Sequence, residues 1–536
     1  MSAEGGLLPP AAVDIYDTTL RDGSQQEGLS LTVDDKLRVA AQLDELGVAY
    51  IEGGWPGANP KDDEFFQRAP SELKLSTSTL VAFGSTRRPG GAADTDETLR
   101  HLVKANTSTV CIVAKAWDRH VSEALRTDLD EAVAMAAESV EFLRLAGLRV
   151  FLDAEHFFDG YKANPGFALR VLVAAEEAGA EALVLCDTNG GSLPHEVAEI
   201  VAAVRPLVSV QLGVHFHNDG GCAVANALTA VRAGATQVQG CINGYGERTG
   251  NADLCAIIPD LTIKMGVRTI DPARLERLAP VAHHIAELVN RAPDPQQPYV
   301  GQSAFATKAG LHTSAIARSR SLYEHVPPEV VGNGSRVLVS ELAGRSTVQL
   351  KAAEIGLDLD AVALADILTR LKELEHRGYH FEAADGSLEL LMRNATGWEQ
   401  SFFRLESFRV ITEHREDGRY VTEATIKVHC ARPDGGGERI VATAEGNGPV
   451  NALDAALRQA IGSRHPAVAD LHLTDYKVRV LDTSKGTGAV TRVLIDTTDG
   501  RQSWATIGVS ENIIEASWRA LSDSVVYGLL RAERGE

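Results

Sequence analysis

Two histidines, His215 and His217, are separated by a single residue in the segment VHFHND. The apolar residues before them fit a buried strand, in which alternate side chains point to the same face. Both imidazoles are therefore expected on one face, where neutral ring nitrogens can bind one divalent metal ion. Two ordinary surface histidines are the alternative interpretation of this pair.

Two further segments contain oxygen ligands for such an ion. DTTLRDGSQQEG (17–28) follows an apolar run and contains Asp22, and NGYGERTGNADL (243–254) contains Asn251. A ligand set of two nitrogens and two oxygens suits Zn, Mn, Co or Mg, and spacing alone does not choose among them. In the alternative interpretation Asp22 caps a turn and Asn251 caps a helix.

Other polar residues could act on a substrate beside this ion. Arg21, next to Asp22, could stabilise a developing oxyanion or clamp a carboxylate, or it could form a structural salt bridge. Thr188, in CDTNG, could hold a substrate carboxylate or shape a turn. Glu155 and Glu52 each end a predicted strand and could bind substrate or orient a metal ligand.

Repeated strand and helix patterns predict the elements that position these residues. Apolar runs alternate with amphipathic helical segments, which is typical of parallel βαβ units. Eight such units in about 270 residues predict a (β/α)8 TIM barrel, in which the carboxyl ends of the strands carry the active site. A doubly wound open sheet is the alternative, but its Gly-rich first turn is missing. The strand candidates are 13–17, 48–52, 75–83, 108–114, 148–155, 181–187, 210–217 and 236–243.

The second half of the chain shows two different sequence patterns. A Pro-rich stretch (290–300) precedes a mainly helical linker region, whose longest predicted helix covers 359–382. From about residue 400, strand and helix patterns recur at a spacing of 61 residues, aligning Asn451 with Asn512. Two βββα repeats in an α+β domain are predicted, for binding or assembly rather than chemistry. The expected domains are 1–290, 291–395 and 396–536.

Composition excludes several classes of function. The chain has 536 residues and a net charge of −21, which argues against a nucleic-acid or acidic-membrane surface. The N-terminal segment lacks the features of a secretory signal, and no stretch approaches the roughly 20 apolar residues of a membrane span. The six scattered cysteines form no CxxC pair and fit free thiols in a reducing cytoplasm.

The segments DTTLRDGSQQEG, HFHNDGG and NGYGERTGNADL, in this order, resemble those of the acyl-CoA-condensing branch of the DRE-type TIM-barrel metal enzymes. This branch contains the 2-isopropylmalate, homocitrate and citramalate synthases, and the resemblance covers nearly the whole chain. It implies that the metal is bound by four residues: Asp22, His215, His217 and Asn251. It further implies that Arg21, Gln25 and Thr188 bind the keto acid and that Glu155 lies near acetyl-CoA. Within ATKAGLHTSAI (306–316) and SLYEHV, it implies that His312 and Tyr323 reach the barrel of a second subunit.

The segments IEGGWPGANPKDDEFF (51–66) and FGSTRRPG (83–90) look most like the citramalate synthase subgroup. The implied reaction is condensation of pyruvate with acetyl-CoA in a homodimer, inhibited by isoleucine bound to the C-terminal repeats. One segment departs from the subgroup: the residues before Glu155 read LDA, where the subgroup has an aromatic residue in the keto-acid pocket. A 2-isopropylmalate synthase, which takes 2-ketoisovalerate, is the main alternative. A retro-aldol lyase or carboxyltransferase, and an amino-acid sensor with a vestigial barrel, are further alternatives.

Overall fold

The computed structural model describes residues 9–307, 312, 315–316, 318–337, 344–414, 416, 418–431, 437–481, 486 and 488–535. Much of the 306–316 segment and the first eight residues of the N-terminal segment therefore lie outside the described residues. The chain divides into two compact units. The first contains residues 1–305 and 326–335, and the second contains residues 306–325 and 336–536.

The first unit is a closed barrel of eight parallel strands in sequence order, with β1 paired to β8. This confirms the predicted TIM barrel and the place of every predicted strand. The strands are β1 Asp14–Asp17, β2 Tyr50–Gly54, β3 Thr79–Ser85, β4 Thr109–Lys115, β5 Arg149–Glu155, β6 Ala182–Asp187, β7 Gln211–Phe216 and β8 Gln237–Gly240.

Two strand boundaries differ from the prediction by more than two residues, for local reasons. β3 begins four residues later than the predicted 75, because the Asp44 carboxylate accepts hydrogen bonds from the backbone of Ser76, Thr77 and Ser78. β8 ends at Gly240 rather than at residue 243. There the chain turns, and the Ile242 N–H donates to the side-chain oxygens of Asp17, at the end of β1, and Thr19 instead of continuing the sheet.

Helices surround the barrel, and their ends follow ordinary capping chemistry. Thr32 and Asp35 form a capping box at the start of the first helix, which stops at Gly47 with φ of 95°. The helices of this unit are Val33–Leu46, Pro60–Glu72, Glu97–Lys104, Asp118–His120, Leu129–Leu145, Phe157–Ala163, Pro165–Glu177, Pro194–Val204, Ala223–Arg232, Leu254–Pro259 and Leu278–Leu288.

The barrel interior is filled by side chains, so it is a packed core rather than a pore. Tyr16, Tyr50 and Phe151 lie in mutual ring contact and form its aromatic layer. Since these side chains close the interior, a ligand can enter only at the carboxyl-end mouth, where the loops carry the polar residues.

The second unit contains helices and two antiparallel sheets. A two-stranded ribbon pairs β9 (Ala306–Thr307) with β10 (Arg336–Val337). The helices are Arg345–Glu354, Ala361–His376, Asp385–Ala395, Pro449–Ile461 and Ile513–Arg534. The helix predicted over 359–382 is therefore shorter, and Gly378, with φ of 105°, follows its end. The sheets are β11 Arg404–His414, β12 Tyr420–Ala431 and β13 Gly437–Gly446, and β14 His472–Val480, β15 Thr491–Thr498 and β16 Ser503–Ser510.

The two predicted βββα repeats are confirmed. Each three-stranded sheet is followed by one helix, and the helices share a buried core with the sheets. The predicted 61-residue spacing matches a repeated ion pair, Asp454 with Arg458 and Glu515 with Arg519. Among the described residues, no helix has both the length and the apolar character needed to cross a membrane.

Candidate active site

Asp22, His215 and His217 meet at the carboxyl-end mouth of the barrel. Asp22 follows β1 in a tight turn, His215 lies in β7, and His217 follows β7. The Asp22 Oδ2 lies 3.3 Å from the His215 Nε2 and 3.6 Å from the His217 Nε2. One ligand atom from each residue lies within 4.8 Å of the other two, and all three residues are buried. This donor set fits a divalent metal ion.

Asn251 joins this cluster through the backbone as well as its side chain. It forms an isolated β-bridge with His217, and its Nδ2 donates to the Asp22 Oδ2 over 2.7 Å. Gly246, at φ of 154°, allows this close packing, since a Cβ there would lie 2.4 Å from the Asn251 Oδ1. That buried Oδ1 has no hydrogen-bond partner among the described residues, so Asn251 retains an unused oxygen ligand.

The electrostatics of the cluster favour a cation. Burial opposes ionisation of Asp22, but Arg21 and His215 outweigh it and hold the pKa of Asp22 well below its usual range. Burial and the charge of His215 lower the pKa of His217 to about 3. Burial also opposes the charging of His215, but the bond to Asp22 raises the pKa of His215 overall. Asp22 is thus a carboxylate and His217 neutral at pH 7, the forms that bind metals.

Arg21 is fixed on three sides. Its Nε donates to the Glu52 Oε1 over 2.6 Å, and its Nη1 lies 3.3 Å from the Asp22 Oδ1. Its Cζ lies 3.8 Å from the ring centroid of Phe83, and the Tyr16 hydroxyl donates to the other oxygen of Glu52. A guanidinium held in this way faces the cavity with little freedom to move, as a preorganised oxyanion or carboxylate site requires.

Glu155 and Thr188 occupy neighbouring strand ends. Glu155 forms an ion pair with Lys115, the last residue of β4. The Thr188 hydroxyl accepts a hydrogen bond from the His156 backbone N–H over 2.9 Å. Because that oxygen acts as the acceptor, the hydroxyl proton remains available to donate to a ligand.

A cavity of about 440 Å³ opens above Asp22, His215 and His217 and is lined by most of the predicted site residues. They are Arg21, Asp22, Gln25, Glu155, Thr188, His215 and His217. Trp55 and Phe83, whose ring centroids lie 5.3 Å apart in an edge-to-face arrangement, form an aromatic wall, and Asp153 also lines the cavity.

Three other residues that the sequence singled out do not line this cavity. Asn243, a predicted strand end, donates to the Ala282 carbonyl oxygen and lines a different cavity. His312 and Tyr323 belong to the second unit, where their rings stack at a centroid distance of 4.3 Å and both residues are exposed. Their action at a barrel therefore stays a prediction.

Sequence reasoning missed several residues around the site. Lys115, Trp55 and Phe83 line the cavity, and Gln239 contacts His215. Lys115 could have been found because it ends β4, which was predicted one residue too short. Trp55 follows β2, and Phe83 and Gln239 lie inside strands. Trp55 and Phe83 belong to the segments 51–66 and 83–90 that resemble the subgroup, but no pattern within the sequence shows that these side chains face the cavity.

Three family models match successive parts of the chain. Residues 12–281 match the family model described as HMGL-like. Residues 299–379 match the model named homocitrate synthase post-HMGL domain-like, and residues 382–529 match the LeuA allosteric (dimerisation) domain.

Relatives of similar length agree with these matches. The (R)-citramalate synthase of Streptomyces coelicolor is 53% identical, over 97% of this chain and 97% of its own. That of Aquifex aeolicus is 50% identical, over 97% of this chain and 98% of its own. A probable 2-isopropylmalate synthase of Methanopyrus kandleri is 32% identical, over 95% of this chain and 97% of its own. The chain belongs to the HMGL-like family of TIM-barrel enzymes and, within it, to the family of the (R)-citramalate synthases.

Proposed function

We propose that this chain catalyses the condensation of acetyl-CoA, pyruvate and water to (R)-citramalate and CoA. The observation that carries the proposal is the Asp22, His215 and His217 cluster beneath a cavity, in a chain about 50% identical to several (R)-citramalate synthases. The lower identity to a 2-isopropylmalate synthase favours pyruvate over 2-ketoisovalerate.

One divalent ion, of Zn, Mn, Co or Mg, would be held by Asp22, His215, His217 and Asn251. When bound, it supplies Lewis-acid polarisation of the keto carbonyl of pyruvate. Arg21, fixed between Glu52 and Asp22, stabilises the alkoxide that develops on the keto oxygen. Charge is thus neutralised at the oxygen where it accumulates.

Other cavity residues position pyruvate and the acetyl group. The Thr188 hydroxyl donates to the pyruvate carboxylate, since its oxygen already accepts from His156. Gln25 borders the same cavity and contacts the keto acid from the side of β1. The ion pair with Lys115 holds the Glu155 carboxylate at the rim, where the thioester would lie.

The condensation begins with removal of a proton from the acetyl methyl group. His312 of one subunit accepts it at the barrel of the other, alone or through Glu155 and a water molecule, and the stacked Tyr323 supports its ring. The resulting enolate carbon forms a bond to the keto carbon of pyruvate while the C=O π electrons move onto the oxygen, and the alkoxide so formed takes up the proton held by the base. Water then hydrolyses the thioester, releasing CoA and making the reaction effectively irreversible.

Regulation is assigned to the C-terminal repeats. An irreversible step at the start of isoleucine synthesis is suited to feedback, and residues 382–529 resemble an allosteric dimerisation domain. We therefore propose a cytoplasmic homodimer in which residues 396–536 bind isoleucine and residues 291–395 link them to the barrel domain, 1–290. The free state of all six cysteines fits this location.

A keto-acid panel tests the proposal. The full chain is incubated with acetyl-CoA and each keto acid, and free thiol is followed with and without isoleucine. The expected result is that kcat/KM is highest for pyruvate and that isoleucine lowers the rate. A higher kcat/KM for 2-ketoisovalerate would overturn the substrate assignment, and an unchanged rate with isoleucine would overturn the effector.

A further inference from the structure

A series of hydrogen bonds crosses the barrel interior beneath Asp22, His215 and His217. The His215 Nδ1 lies 3.0 Å from the Gln239 Oε1, and the Gln239 Nε2 donates to the Asp153 Oδ1 over 3.0 Å. The Cys111 thiol donates to the same Asp153 oxygen over 3.1 Å. All four residues are buried, and Gln239 is fully enclosed. These hydrogen bonds thus link β7, β8, β5 and β4.

The bond from Cys111 to Asp153 sets the orientation of Gln239. The Asp153 Oδ1 accepts from the Cys111 thiol, so that oxygen acts as an acceptor. A reversed Gln239 amide would place its own oxygen against this acceptor at 3.0 Å, with no proton between them. The amide therefore presents Nε2 to Asp153 and Oε1 to His215.

The orientation of Gln239 in turn decides which nitrogen of His215 carries the proton. A carbonyl oxygen can only accept, so the His215 Nδ1 must donate to it. In the neutral ring the lone pair then lies on Nε2, the atom that is 3.3 Å from the Asp22 Oδ2. This is the nitrogen that the metal site requires.

We propose that Gln239 is a positioning residue that, oriented by Asp153, selects the His215 tautomer able to bind the metal ion. The inference rests on the proposed metal site. It also gives Asp153, in the LDA segment before Glu155, a role in orienting Gln239. Strand register places Gln239 opposite His215 on the adjacent strand, and so within reach of its ring.

The test measures the affinity of the full chain for Zn²⁺ and Mn²⁺ by competition with a fluorescent chelator. Gln239→Leu removes the acceptor while filling the space, and should weaken binding about 10- to 100-fold. Asp153→Asn keeps an acceptor through its own Oδ1, and should stay within about threefold of the parent chain. Gln239→Glu sets two carboxylates against each other and should bind as weakly as Gln239→Leu.

The double variant Gln239→Glu with Asp153→Asn exchanges donor and acceptor in the hydrogen bond between positions 239 and 153. The amide nitrogen introduced at position 153 can donate to the new carboxylate, whose other oxygen accepts from the His215 Nδ1. Metal affinity should return to within about threefold of Asp153→Asn, a rescue that simple filling of the barrel does not predict. Circular dichroism verifies that each variant is folded.

Two outcomes would overturn the inference: unchanged affinity in Gln239→Leu, or a folded double variant that binds no better than Gln239→Glu. If Gln239→Leu does not fold, the comparison of Gln239→Glu with the double variant decides. The proposed metal site would instead be overturned if the parent chain did not bind metal. It would also be overturned if the double variant His215→Ala with His217→Ala bound metal as tightly as the parent chain. The two failures are therefore distinguishable.

Discussion

The Asn251 side-chain amide donates to the Asp22 carboxylate over 2.7 Å, although 229 positions separate the two residues. Asp22 follows β1, and Asn251 follows β8 in a loop bridged to His217. Closure of the barrel makes β1 and β8 neighbours, so the first and last strands supply one site. The proposed metal site therefore requires a complete barrel.

Loss of either histidine should remove the metal ion. His217→Ala deletes one of two imidazole ligands, so metal content measured by mass spectrometry should fall to near zero. Turnover should fall about 10³-fold, as expected when a Lewis acid worth several kcal/mol is lost. His195→Ala, on an exposed helix surface, is the matched control and should change neither quantity. Full metal content in His217→Ala would contradict the site.

Lys115 should affect turnover through Glu155. Lys115→Met leaves the Glu155 carboxylate without its ion partner at the cavity rim, and kcat should fall about tenfold or more. Lys115→Arg should recover much of the loss because it restores the charge. Arg170→Met removes an exposed ion pair with Asp130 between two outer helices, and should leave kcat unchanged. Equal rates for Lys115→Met and the parent would show that the pair is not used.

The aromatic wall should limit the size of the keto acid. Phe83→Ala enlarges the cavity beside Arg21 and should raise kcat/KM for 2-ketoisovalerate relative to pyruvate by about 10- to 100-fold. Phe83→Tyr, which keeps the ring, should retain the parent preference. If Phe83→Ala slows both substrates equally, the ring supports Arg21 without restricting substrate size.

Glu389 should be a strong stabiliser of the second unit. It is buried and accepts hydrogen bonds from Arg393, Tyr527 and Arg534 over 2.7, 3.0 and 3.1 Å. Glu389→Leu leaves the Arg393 charge buried without its partner, so the free energy of unfolding should fall by about 3–5 kcal/mol. The exposed Glu373→Gln should change it by less than about 0.5 kcal/mol. Denaturant titration monitored by circular dichroism measures both, and similar values would contradict this role.

Asp523 should make the stability of the second unit depend on pH. Burial raises the pKa of Asp523 from 3.8 to about 6, although a hydrogen bond from Ser387 opposes the shift. The folded state therefore holds a proton that the unfolded chain releases, and stability should decline as pH rises from about 4 to 6. Asp523→Asn should remove roughly 2 kcal/mol of this decline. Calorimetric scans at about pH 4.5 and 7 measure the difference, and parallel curves for both proteins would contradict the assignment.

Local patterns were sufficient for much of the fold and the proposed metal ligands. Alternation within one strand placed His215 and His217 on the same face, and the eight strand and helix units predicted barrel closure. The motifs after β1 and β8 identified Asp22 and Asn251. These features depend on backbone geometry over a few residues, or on segments that remain recognisable across a family.

The sequence by itself determined the barrel, the two C-terminal repeats and the residues proposed to bind metal. Only the tertiary structure brought Lys115 to Glu155, Phe83 to Arg21, and Gln239 between His215 and Asp153. The reason is that contacts between strands depend on register and on side chains meeting across the barrel interior. Residues far apart in the chain become neighbours there, and no periodicity within one segment records that contact.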